Sequence, residues 1–188
     1  MSVCPITELR SIFFERGELR YSDAARHVEH ALHCATLAEC EGSPAWLVTA
    51  ALTHDIGHLL TSTADIEEGQ AEDDHHHEIG ARWLDARFDP RVARLAAAHV
   101  DAKRYLCTTE PGYMRALPVP CLRSLALQGG PMSSAEVERF DADPIARDAL
   151  RLCRWDDRSR RGSAHSTRLE HFLSIARLAT RPALRGWS

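Results

Sequence analysis

Apolar residues recur at helical spacing along almost the whole chain. Ile6 to Arg16 predicts a first helix and His27 to Cys40 a second. Pro44 near the start of a third fits a first helical turn, where a missing N–H costs nothing. That third helix is expected to run through His54 and to end near Gly57 and His58. The acid-rich stretch from Thr61 to Asp74 has no period and reads as a lid or mobile loop. Helices resume over His75 to Ala86 and Arg91 to Tyr105. Pro111 to Pro120 reads as an irregular connection, and Gln128-Gly129-Gly130-Pro131 as a turn. Ser133 or Ser134 is placed to cap the next helix, with Glu136 or Glu138 in its first turn. Two more helices are expected over Pro144 to Trp155 and Ser166 to Thr180. No segment alternates with period two for more than a few residues, and no internal repeat interrupts the series. The pattern predicts an all-α bundle, a single domain over residues 1–188.

The informative residues are those that break the apolar faces. Trp46, Leu47, Ala50, Ala51, His54 and His58 share one helical face, so His54 points inward and Asp55 sits at its edge. Val92, Leu95, Ala96, His99 and Lys103 repeat the pattern, as do Ala149, Leu152 and Asp156. From His76, the face continues through Gly80, Trp83 and Leu84, and Gly80 leaves room for a neighbouring helix to approach closely. A single inward histidine is most often a hydrogen-bonded core residue. Several on separate apolar stripes are costly unless they meet. One shared metal centre satisfies them all: His30, His54, Asp55, His76, His99 and Asp156, with His77 as the alternative to His76. A carboxylate beside a ligand histidine can give one oxygen to each of two cations, the role expected of Asp55. Such nitrogen and oxygen donors suit iron, manganese, zinc or nickel.

The remaining composition narrows the setting. At 188 residues and 44% apolar content, the chain has enough material for one sizeable core. No apolar run reaches membrane-spanning length, and the N-terminus does not read as a secretory signal, so the cytoplasm is the expected compartment. The six cysteines form no CxxC pair or regular framework and read as reduced thiols. A formal charge of −4 gives no pull toward nucleic acid, and there is no P-loop or dinucleotide fingerprint.

Two residues extend the metal set toward a ligand. His58 lies one turn after His54 and reaches the same cavity. Lys103 lies one turn after His99, where a cation beside a metal would anchor a small phosphate, phosphonate or carboxylate; otherwise it is a snorkelling surface lysine. A two-metal site of this kind supports either phosphoester hydrolysis or, with iron, activation of O2.

Six segments then carry a resemblance. They are Glu29 to Ala35, His54-Asp55-Ile56-Gly57-His58, His76 to Leu84, His99 to Leu106, Ser124 to Gly130 and Arg154-Trp155-Asp156-Asp157. Over about residues 20–160 the chain resembles the HD-domain di-iron oxygenases of organophosphonate catabolism, relatives of myo-inositol oxygenase. The resemblance implies a mixed-valent Fe(II)/Fe(III) pair held by His30, His54, Asp55, His76, His99 and Asp156, with Asp55 bridging. It implies a small 1-hydroxyalkylphosphonate and O2 as substrates, and phosphate and a carboxylic acid as products. Asp55, His58 and Lys103 are the implied catalytic residues, with Lys103 on the phosphonate. Ser124 and Gln128 match a substrate-side stretch, and Arg154 either helps with phosphonate charge or pairs with a nearby acid. Tyr21 matches a gate tyrosine, while Asp23 stands where the family has a glutamate that meets a substrate amine. That departure favours a substrate with a different substituent. Arg160 replaces a lysine found four residues after the last aspartate, without touching the expected ligand set. The competing expectations are an HD-type metal-dependent phosphohydrolase and a ligand-sensing HD module whose metals are structural.

Overall fold

A computed structural model describes residues 4–19, 26–61, 75–160 and 169–181. Along the chain these form α1 (Pro5–Arg16), α2 (His27–Cys40), α3 (Ala45–Thr53), α4 (Ile56–Leu60), α5 (His76–Asp85) and α6 (Pro90–Thr109). There follow α7 (Tyr113–Ala116), α8 (Val119–Leu127), α9 (Ser134–Asp141), α10 (Ala146–Ser159) and α11 (Leu169–Leu178). The all-α expectation holds: the described elements are helices, with an isolated antiparallel bridge between Phe88 and Thr180. It fastens the end of α11 beside the α5–α6 turn, where Asp89 N–H donates to the Ala179 carbonyl at 2.7 Å.

Helix α3 is the axis of the bundle. Every residue from Leu47 to Thr53 is buried, and α2, α6, α10 and α11 pack around it. A helix apolar on all sides needs partners on all sides. Its two buried hydroxyls are satisfied locally, Thr49 donating to the Ala45 carbonyl at 2.7 Å and Thr53 to that of Thr49 at 2.8 Å. At one end of the bundle, Glu8 of α1 ties α5 in place. Its carboxylate accepts from both ends of the Arg87 guanidinium, at 2.8 and 2.7 Å, and from the Trp83 indole at 3.2 Å.

The expected third helix is two. α3 stops at Thr53, and α4 starts only after Asp55, whose backbone leaves the helical region at φ −98°, ψ 12°. The apolar stripe runs on unbroken across this point, so it gave no sign of the break. The new direction brings α4 against the start of α5 at two glycines. A Cβ on Gly57 would sit 1.8 Å from the His76 carbonyl oxygen, and one on Gly80 would sit 3.2 Å from the Gly57 nitrogen. The close approach expected at Gly80 is therefore present, and Gly57 completes it.

Two other boundaries differ from expectation. The stretch Pro111 to Pro120 contains α7 and leads into α8, which was not anticipated. Its prolines mark beginnings: Pro118 precedes α8 and Pro120 lies in its first turn, where proline is tolerated. Helix α10 continues past Trp155 to Ser159, carrying Asp156 well inside a regular helix. Ser133, the residue before α9, donates its N–H to Glu136 at 2.8 Å, resolving the capping choice. The expected lid falls outside the described residues from 62 to 74. Among the described residues no helix is long and apolar enough to cross a membrane. All six cysteines are free thiols.

Candidate metal centre

The break between α3 and α4 is where the candidate ligands converge. His54 and Asp55 occupy it; His30 comes from α2, His76 from the first position of α5, His99 from α6 and Asp156 from α10. The four histidines and Asp156 are buried, and the Asp55 side chain is 12% exposed. Two groups form around one carboxylate. Oδ2 of Asp55 lies 3.5 Å from His30 Nε2 and 3.3 Å from His54 Nε2. Its other oxygen, Oδ1, lies 3.5 Å from the Nε2 atoms of both His76 and His99. Asp156 joins the first group, its Oδ1 3.3 Å from His30 Nε2. Asp55 therefore presents one oxygen to each group, as a bridging carboxylate must.

The spacing fits metal ions. Two imidazole nitrogens held at about 2.0–2.1 Å from one cation must lie about 2.9–3.4 Å apart. The Nε2 atoms of His30 and His54 are separated by 3.4 Å, and those of His76 and His99 by 3.2 Å. The opposite ring nitrogens are engaged elsewhere. His54 Nδ1 faces the Ala51 carbonyl at 3.0 Å and His99 Nδ1 the Ala96 carbonyl at 2.6 Å. A carbonyl only accepts, so each Nδ1 carries hydrogen and each Nε2 keeps its lone pair for a ligand role. The cluster is a candidate metal site: it places His30, His54, Asp55 and Asp156 within reach of one ion and Asp55, His76 and His99 within reach of another. His76 rather than His77 belongs to the second group.

Charge is arranged to keep the carboxylates ionised. Burial opposes the charge on Asp55, but His54 beside it and hydrogen bonds from His30, His54 and His76 hold its carboxyl well below the usual range. Burial likewise opposes the charge on Asp156, and the cations Lys103 and Arg160 overcome it. Burial pushes His99 well below an ordinary imidazole, favouring the neutral form that a metal requires.

The second group opens onto a cavity of about 300 Å³. Asp55, His76 and His99 line it, whereas His30, His54 and Asp156 lie behind them. His58, Lys103, Ser124 and Gln128, all expected at a substrate site, line it as well. The His58 ring stacks on His76 with centroids 3.9 Å apart, so it also braces a ligand. Lys103 is no snorkelling lysine: it is 8% exposed and donates to Asp156 Oδ2 at 2.7 Å. Arg154 is not brought to this cavity. Its guanidinium pairs with Glu110 and lies 5.4 Å from the Tyr113 ring centre, lining a separate depression. The expected alternative for Arg154, pairing with a nearby acid, is the one observed. Tyr21 and Asp23 lie outside the described residues.

Two residues complete the site beyond the sequence reading. Arg160 was expected to leave the ligands untouched, yet its Nε donates to Asp156 Oδ1 at 3.0 Å and it lines the cavity. Spacing of four from Asp156 on one helix was the available signal. Ser159, three residues from Asp156, reaches His30 Nδ1 at 2.8 Å.

Comparison with known proteins agrees with this geometry. The family model described as HD domain matches residues 25–160. The chain belongs to the HD-domain family. It is 35% identical, over 86% of its length and 83% of the relative's, to the (1-hydroxy-2-(trimethylamino)ethyl)phosphonate dioxygenase (glycine-betaine-forming) of Leisingera caerulea. It is 38% identical to the hydroxymethylphosphonate dioxygenase of Gimesia maris, over 81% of this chain and 76% of that protein. The resemblance seen in the sequence is thus borne out: this HD-domain chain groups with phosphonate dioxygenases across most of its length.

Proposed function

We infer that this HD-domain protein is an O2-dependent oxygenase that cleaves the carbon–phosphorus bond of a small 1-hydroxyalkylphosphonate. The observation that carries the reading is a two-group His/Asp cradle opening on a small cation-lined cavity, in a chain similar to two phosphonate dioxygenases. The reaction balances without an outside reductant: R–CH(OH)–PO3(2−) plus O2 gives R–COO(−), HPO4(2−) and a proton. The carbon is oxidised, O2 is reduced, and the bond to phosphorus is replaced by one to oxygen.

Two iron ions are the proposed cofactor, in the mixed-valent Fe(II)/Fe(III) state. His30, His54, Asp55 and Asp156 would hold one, and Asp55, His76 and His99 the other. When bound, such a pair supplies Lewis acidity and the redox chemistry needed to use O2. The chain's own residues do the rest. The group with fewer protein ligands faces the cavity, which leaves substrate access on that side. Lys103 and Arg160 present positive charge to the phosphonate. Burial works against the charge of Lys103, but Asp156 raises its pKa above the ordinary lysine value, so it stays cationic. Ser124 and Gln128 supply hydrogen-bonding groups to the headgroup and hydroxyl from the α8 side. His58 keeps the His76 ring in place while exposing a polar edge to the substrate. Fixing the headgroup orients the carbon bearing phosphorus, a positioning role worth a large part of the rate.

The test uses iron-loaded protein, prepared without air and examined by Mössbauer spectroscopy, then given hydroxymethylphosphonate and O2. Phosphate release matched one-to-one by O2 uptake is the expected result. Phosphate released from phosphoesters with no O2 consumed would assign the site to hydrolysis instead.

A further inference from the structure

Ser159 is the last residue of α10, 2% exposed and outside the ligand set. Its hydroxyl occupies three contacts. It donates to the Asp156 carbonyl at 2.7 Å, receives the Cys34 thiol at 3.2 Å and meets His30 Nδ1 at 2.8 Å. A hydroxyl has one hydrogen and two lone pairs. The carbonyl can only accept, so that hydrogen is spent on it. Ser159 Oγ must then accept from His30, and Nδ1 carries the hydrogen. The lone pair of His30 is left on Nε2, the atom facing His54, Asp55 and Asp156.

The other two assigned ring orientations are set differently. His54 and His99 are held by main-chain carbonyls of their own helices, which no side-chain replacement removes. His30 is held by a side chain 129 positions away, on α10, so its ring orientation depends on how α2 and α10 pack. We propose that Ser159 is a positioning residue that fixes the His30 imidazole and thereby selectively sets the metal affinity of the His30/His54/Asp55/Asp156 group. The inference rests on the two-ion reading of the site. Outer partners of metal-binding histidines change affinity by about 10–100-fold when removed. The effect is confined to one of the two groups because Ser159 touches neither His76 nor His99 among the described contacts.

The experiment is anaerobic Fe(II) titration of full-length, chelator-stripped protein, as parent, Ser159→Ala and Ser159→Thr. The parent takes up two equivalents. Ser159→Ala should bind one equivalent at parent affinity and the other about 10–100-fold more weakly, whereas Ser159→Thr, which keeps the hydroxyl, restores it. Any fall in the metal-free melting temperature, expected when a buried hydroxyl is lost, acts on both positions alike, so a loss confined to one equivalent separates positioning from support of the fold. A second pair locates the effect. In a His30→Ala background, adding Ser159→Ala should change nothing further, while in a His76→Ala background it should weaken the remaining ion. Two equivalents at parent affinity in Ser159→Ala would overturn the proposal and leave the two-ion site standing. A parent protein that binds fewer than two equivalents would overturn both. Equal loss at both positions with a lowered metal-free melting temperature would reduce Ser159 to a packing residue and overturn the selective role.

Discussion

Lys103 Nζ donates to Asp156 Oδ2 at 2.7 Å, while the other oxygen of the same carboxylate faces His30 Nε2 at 3.3 Å. The lysine that faces the cavity therefore also holds a candidate metal ligand. Lysine is not itself a metal ligand, but the contact with Asp156 couples its loss to the metals. Lys103→Met should lower kcat/KM by roughly ten- to a hundred-fold, the worth of a charge-assisted contact of about 1.5–3 kcal/mol. It should also loosen the ion nearest His30. Both are read in one preparation, kinetics at matched iron content and bound iron by elemental analysis. Unchanged iron with reduced kcat/KM would mean that Arg160 alone suffices to hold Asp156.

Asp55 is the one residue shared by both ligand groups. Asp55→Ala should therefore remove both ions together, whereas loss of His76 should chiefly affect the one facing the cavity. Metal content after gel filtration distinguishes the two. More than one tightly held equivalent in Asp55→Ala would show that another group bridges.

Gly57 is fixed by packing rather than by backbone conformation. A Cβ there would lie 1.8 Å from the main-chain oxygen of His76, and backbone cannot move aside as a flexible side chain can. Gly57→Ala should destabilise the fold by at least about 1–3 kcal/mol, the usual cost of overpacking. Because the displaced atom belongs to a ligand, metal binding at His76 and His99 should weaken too. Thermal melting with and without iron checks both effects. Parent-like melting would show that α4 and α5 separate easily.

How far the site was legible follows from these positions. Histidines on apolar stripes declare themselves, since a polar group on a buried face needs a partner, and all six expected ligands meet. The bridging geometry of Asp55 depends on a helix break that no periodicity signals, because the residues on both sides remain apolar and buried. Gly57 was visible only as part of a motif; its neighbour comes from a different helix, and a contact of that kind requires the packing to be known. Arg160 and Ser159 were at readable helical distances from Asp156, but α10 was expected to end at Trp155, which placed both beyond the helix. Arg154 is the reverse case, a cation near the ligand in sequence for which the alternative of pairing with an acid, Glu110, is the one realised.

The Glu8 latch gives a pH dependence with a definite sign. Hydrogen bonding to Arg87 depresses the Glu8 carboxyl below its ordinary value of 4.5, against a smaller opposing effect of burial. A depressed folded-state pKa contributes stability that is present above the unfolded value and is lost as pH falls through the folded one. The side chains are 31% and 25% exposed, so the contribution is modest, about 1 kcal/mol. Glu8→Gln should lower the melting temperature by about 2–4 °C at neutral pH. The gap between variant and parent should close as pH drops below about 4.5, the ordinary carboxyl value. A gap that persists undiminished in acid would mean that Glu8 acts through packing rather than charge.

Arg160 tests whether the cavity is built for a doubly charged headgroup. Its Nε and terminal nitrogen donate to the two oxygens of Asp156 at 3.0 and 3.2 Å, and its remaining nitrogen reaches the Cys121 sulfur at 3.3 Å. This anchors the guanidinium at the cavity wall, beside Lys103. A metal drawing on Asp156 would free more of the charge of Lys103 and Arg160 for an incoming anion. A phosphonate dianion uses both charges; a carboxylate or sulfonate monoanion uses one. Arg160→Met should raise KM for the phosphonate about ten-fold or more, the lower end of a charge-assisted contact, with a smaller change in kcat. Inhibition by inorganic phosphate, an equilibrium measure of the same headgroup site, should weaken in parallel. Arg160→Lys keeps the charge but loses the two-pronged grip and should fall between. Iron content is matched across the series so that loosening of Asp156 does not enter. Parent-like KM and parent-like phosphate inhibition in Arg160→Met would show that the guanidinium serves Asp156 alone and that Lys103 carries the headgroup by itself.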